Sequence, residues 1–115
     1  MNLIDDFEDW EDDLESGVYN SFVAMASSHG FLPRDAMSVP GAIRSAMFTS
    51  PLMDVYVDTV ASLLAECEAI VRPLGVEMTY WRPIHDDLLV MAEEQRTAVR
   101  HRFHVALNRL LAAPA

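Results

Sequence analysis

From Pro83 to Ala112 the chain carries no glycine and, after Pro83 itself, no proline. Leu88, Ala92, Val99, Phe103, Ala106 and Leu110 recur there at helical spacing, with Gln95 filling the missing step, so these side chains share one face. A helix of that length spans roughly 45 Å, about the width of a small domain, and the remaining chain has to pack along it. The whole sequence is 115 residues, long enough for one hydrophobic core and too short for two ordinary domains. The expectation is an all-α fold over residues 1–115, with about four helices, the C-terminal helix as its spine and a short extended connector near 76–81.

The other helices follow from spacing and punctuation. Phe7, Trp10, Leu14, Val18, Phe22 and Met25 or Ala26 keep one helical phase, which predicts a helix from residue 5 to His29 stopped by Gly30. Gly17 lies inside that run and Ser16 could cap a second helix, so a break there is the alternative. Between Phe31 and Pro51 the prolines Pro33, Pro40 and Pro51 and Gly41 predict irregular chain, with a short helix from Pro40 to Phe48 carrying Ile43 and Met47 inward. Ser50 and Pro51 start the next helix, which shows Leu52, Val55, Tyr56, Val60, Leu63, Leu64, Cys67, Ile70 and Val71 on a broad face and ends before Pro73. Val76, Met78 and Tyr80 alternate with Glu77 and Thr79, a strand-like period with no second strand to pair with, hence the extended connector or an edge paired between subunits.

Charge limits the functions open to such a chain. Eighteen acids against eight bases give a net charge of −10, which disfavours direct contact with nucleic acid and favours a basic protein partner. No apolar run is long enough for a membrane span, and the start lacks the basic and apolar regions of a secretory signal, so the expected location is the cytoplasm. The lone Cys67 can form no internal disulfide and reads as a small buried hydrophobe. All the bases are arginine, a pattern read as biased codon usage ahead of selection for bidentate contacts.

No catalytic motif appears. His101 and His104, or His85 with Asp86 and Asp87, offer metal ligands without a convergent third and fourth group, and there is no nucleophile elbow, paired-cysteine motif or glycine-rich phosphate loop. The expectation is therefore no cofactor, no metal and no enzyme, with an unrecognised small metal-dependent enzyme as an alternative.

The stronger signal is a polarity between the two ends. Residues 5–15 contain Asp5, Asp6, Glu8, Asp9, Glu11, Asp12, Asp13 and Glu15 and no base, while residues 95–115 contain Arg96, Arg100, Arg102 and Arg109 and no acid. In one reading the acidic helix folds back on its own basic helix, with Phe7 and Trp10 in the core. In another, part of the acidic face stays free and docks a basic groove on another protein, with Phe7, Trp10 and Leu14 as anchors and Asp9, Asp12 and Asp13 as its rim. A third leaves the acidic segment as a loose tail. Seven methionines suit an adaptable surface or ordinary core filling, and Met78, Tyr80 and Trp81 form a second expected contact cluster. Leu88, Val99, Phe103 and Leu110 are the expected self-association seam of a homodimer. Together these features predict a non-enzymatic regulator of the anti-activator or inhibitor type. It would occlude a basic transcription regulator or nucleic-acid-processing complex, and the alternative within that class is a nucleic-acid mimic or phage- or immunity-type inhibitor.

Overall fold

The computed structural model describes residues 2–32, 39–75 and 78–112, and among these it is all-α. The helices are α1 (Asn2–Ser16), α2 (Ser21–Ser28), α3 (Val39–Thr49), α4 (Leu52–Val71) and α5 (Met78–Ala112), with a single 3-10 turn at Arg72–Leu74 after α4. Pro33 and Met37 of the expected irregular stretch, and Val76 and Glu77 of the expected connector, lie outside the described residues.

The continuous helix expected from residue 5 to His29 is two helices. Gly17 takes a left-handed φ of 70°, Val18 N–H donates to the Asp13 carbonyl at 2.8 Å and Gly17 N–H to that of Leu14 at 3.3 Å, a Schellman ending. Asn20, not Ser16, caps α2: its Oδ1 accepts from Phe22 N–H at 3.0 Å and Val23 N–H at 3.1 Å. Val18, thrown out of phase by the break, is 56% exposed.

The extended connector is also corrected, because Met78–Trp81 form the first turn of α5. A lone strand would leave its backbone groups without a ladder, whereas the helix satisfies them internally and lays Trp81 against the core. Pro83 sits inside the helix and has no N–H for the Thr79 carbonyl. Thr79 is exposed, so water can take that bond.

α4 and α5 form an antiparallel hairpin. Asp54 near the start of α4 accepts from Arg96 at 3.1 Å and Arg100 at 2.7 Å on the far half of α5. The core lies where α1, α2 and α3 pack on this hairpin. Phe22 and Tyr56, both 0% exposed, meet edge to face with ring centroids 5.6 Å apart, and Phe7 stacks on Tyr56 at 5.0 Å. Beyond that body the hairpin continues with less cover. Cys67, expected inside, is exposed, and Ile70 is 65% exposed. At the opposite end α5 overhangs, with Leu110 and Leu111 exposed at 73% and 75%. The result is elongated, 63 × 31 × 22 Å.

Tyr56 ties α4, α5 and α1 together, since its hydroxyl donates to Gln95 Oε1 while Gln95 Nε2 donates to the Ile4 carbonyl at 3.4 Å. Burial, reinforced by the Glu8 and Asp5 charges, pushes the phenol well above its ordinary range. The unfolded chain therefore releases this proton first as pH rises. Its contribution to stability is complete below pH of about 10 and declines above it. Tyr56→Phe is expected to cost about 1 kcal/mol at neutral pH and to flatten the loss of urea stability above about pH 10. An unchanged alkaline slope in this variant would contradict the assignment.

Candidate partner-binding groove

Position around α1 sorts its eight acids into separate tasks. Asp6 and Asp13 face α2: the Asp6 carboxylate accepts from Ser21 N–H at 2.7 Å and Ser21 Oγ at 2.6 Å, and Asp13 accepts from Asn20 Nδ2 at 2.9 Å. Carboxylates at a helix N-terminus suit both its free N–H groups and its dipole. On the other flank Glu8 accepts from Gln95 at 3.4 Å, and Glu11 takes a bidentate contact from Arg44 of α3 at 3.3 and 3.0 Å. Arg44's hydrogen bonds hold Glu11 below the usual carboxylate range, and Glu11 in turn raises Arg44. Asp5, Asp9, Asp12 and Glu15 remain exposed with no hydrogen-bond or ion-pair partner among the described residues.

The expected attraction between the two charged ends takes a different form. Among the described residues no ion pair joins α1 to α5; Arg96 and Arg100 converge on Asp54, and Glu11 pairs with Arg44. Among the described residues the hydrogen bonds between α1 and α5 come from Gln95.

An open groove of about 640 Å³ lies between α1, α3 and α5. Phe7, Trp10, Met47, Phe48, Ala98 and Val99 give it an apolar lining, and Glu8, Glu11 and Asp12 line its α1 wall. Arg44, with its guanidinium 6.0 Å from the Trp10 ring centre, bridges to Glu11, and Arg102 stands on the α5 side. Such a site can seat an apolar side chain and attract a nearby cation.

The expected contact residues divide between two places. Phe7, Trp10 and Asp12 line the groove, but Trp10 is only 5% exposed and Phe7 and Leu14 pack against the core, so these side chains are largely covered within the chain. Asp9 is exposed outside the groove, and Asp13 is held by Asn20. Met78, Tyr80 and Trp81 lie at the far end of the hairpin, roughly 27 Å along α5 from Ala98. Tyr80 is 72% exposed, Met78 and Trp81 are half-buried, and Trp81 Nε1 is buried without a hydrogen-bond partner among the described residues. Of the expected self-association residues, Val99 is 2% exposed in the core, Leu88 packs on it, Phe103 stacks on Phe48 with centroids 5.7 Å apart, and Leu110 is open to solvent.

Sequence reasoning missed the groove-forming role of Arg44, Phe48 and Arg102. Arg44 carried a signal, as the one charged residue of α3. Among the described residues no group of three or more His, Cys, Asp and Glu side chains converges to hold a metal ion, and no helix is long and apolar enough to cross a membrane. No protein-family model, curated protein or solved structure matches this chain.

Proposed function

We propose that this protein is a non-enzymatic regulator that binds another protein through the groove between α1, α3 and α5, taking up a basic apolar segment and occluding it. The observation that carries the reading is the combination of an apolar lining with Glu8, Glu11 and Asp12 on one wall, beside exposed Asp5 and Asp9. The apolar part favours a Leu-like side chain, and the carboxylates favour flanking Arg or Lys. A basic transcription regulator or nucleic-acid-processing protein carries segments of that chemistry. Because Trp10 is already covered, charge rather than an inserted aromatic supplies most of the selectivity.

The test is a titration of the full chain with a synthetic helical peptide of Arg and Leu that contains no acid, followed by tryptophan fluorescence and peptide anisotropy. Micromolar binding is expected at low salt, weakening about tenfold or more between about 50 and 500 mM salt. Asp12→Arg is expected to weaken it by a similar factor without unfolding the chain, since Asp12 is exposed. No binding of the peptide to the monomeric chain at low salt, or binding that neither salt nor Asp12→Arg alters, would refute the groove reading.

A further inference from the structure

The segment of α5 beyond Phe103 has the same chemistry as the ligand argued for the groove. Leu107, Leu110 and Leu111 are exposed at 37%, 73% and 75%. Leu110 continues the face of Ala92, Val99 and Phe103 past the point where Phe48 last covers it. Residues 95–112 contain no acid, and although Arg96 and Arg100 are engaged by Asp54, Arg102 and Arg109 have no carboxylate partner among the described residues. An apolar overhang with the free Arg109 therefore lies on the same helix as a groove whose α1 wall carries Glu8, Glu11 and Asp12 and whose other walls hold Arg44 and Arg102.

We infer that two copies of this chain form a twofold dimer in which the α5 overhang of each copy lies over the acid-walled groove of the other. The inference rests on the groove reading and deepens it, because the dimer then covers the groove with the protein's own basic segment, and an external partner must displace that segment. The spacing along α5 supports exchange in both directions. The groove is built on α5 at Ala98 and Val99, and Arg109 lies about ten residues, or 15 Å, further along. Antiparallel crossing of the two α5 helices centred near His104 brings each overhang to the other groove at once, the self-complementary arrangement a twofold axis requires. It sets Arg109 of one copy opposite Val99 of the other, beside Glu8, Glu11 and Asp12, and sets Arg102 opposite Ala106. No arginine then faces its own counterpart. Pairing overhang with overhang alone would instead bring two acid-free segments together.

Salt screens both this local attraction and the repulsion between two chains of net charge −10, so charge exchange is the sharper test. Sedimentation equilibrium of the full chain is expected to show a dimer. Arg109→Glu and Asp12→Arg, each confirmed folded by far-UV circular dichroism, are each expected to raise its dissociation constant about tenfold, since each variant spoils two equivalent contacts. In a one-to-one mixture one contact has its native charges and the other has them exchanged. The mixture is therefore expected to return to within about threefold of the parent. Leu110→Glu tests the apolar half and is expected to weaken the dimer similarly. A parent chain that stays monomeric near 0.1 mM, as an order of magnitude for weak dimers, overturns the inference. So does a dimer unaffected by both charge variants, or a mixture with no recovery. The Arg/Leu peptide titration on monomeric Arg109→Glu, whose groove is intact, separates this inference from the groove reading. Peptide binding without a parent dimer removes the inference alone, and a charge-swappable dimer whose groove takes no peptide removes the external-partner reading alone.

Discussion

Replacing Trp10 with alanine is expected to lower the stability of the fold by about 3–5 kcal/mol, a large share of the roughly 5–15 kcal/mol typical of a domain this size. The indole is 5% exposed, lies against Phe22 with ring centroids 6.5 Å apart, and has the Arg44 guanidinium 6.0 Å from its ring centre. Its removal leaves a cavity between α1 and α2 and removes one side of the groove lining. Urea unfolding followed by circular dichroism measures the loss, and a change below about 1 kcal/mol would show that Trp10 does not support the core. The result also bears on function. Loss of partner binding in Trp10→Ala would follow from damage to the groove as readily as from loss of a contact, whereas Asp12→Arg is expected to alter stability by no more than about 0.5 kcal/mol and isolates the charge.

How much of this was legible in the sequence depends on what each residue's neighbours had to supply. Helical periodicity identifies the face that can be buried, and for Tyr56, Val60, Leu64, Ala92 and Val99 that face is buried. Cys67 and Leu110 keep the same periodicity and are exposed, because periodicity does not reveal where the covering helices end. The break at Gly17 was local information: a glycine suited to positive φ and an asparagine suited to capping stood in the chain, but the apolar phase through Phe22 favoured one continuous helix. At Met78–Trp81 the alternating pattern was too short to decide between strand and helix, and packing of Trp81 on the core favoured the helix. Charge polarity showed that the ends differ without showing the geometry that brings Asp54 to Arg96 and Arg44 to Glu11. The groove was illegible for the same reason, since it exists only in the relative placement of three helices.

Asn20 is the residue at which local and long-range structure meet, and Asn20→Ala is expected to cost about 2–4 kcal/mol. The residue is 4% exposed and uses both ends of its amide. Oδ1 accepts from Phe22 N–H and Val23 N–H, while Nδ2 donates to the Asp6 carbonyl at 2.8 Å and to Asp13 Oδ2 at 2.9 Å. Losing the cap accounts for about 1 kcal/mol, and leaving the α1 acceptors without their donor inside a closed corner accounts for the remainder. Asn20→Asp separates the two contributions: it keeps the acceptor for the cap but removes the Nδ2 donor and places a second carboxylate beside Asp13, in a segment already rich in acid. It is therefore expected to be no better tolerated than alanine at neutral pH and to recover stability as pH falls and the carboxyls protonate. If Asn20→Asp were as stable as the parent at neutral pH, the cap alone would matter, and the attachment of α2 to α1 through Nδ2 would carry little energy. If both variants lose stability as expected, the acidic face of α1 has a structural half, fixed by Asn20 and Ser21, and an opposite half left to the groove and to solvent.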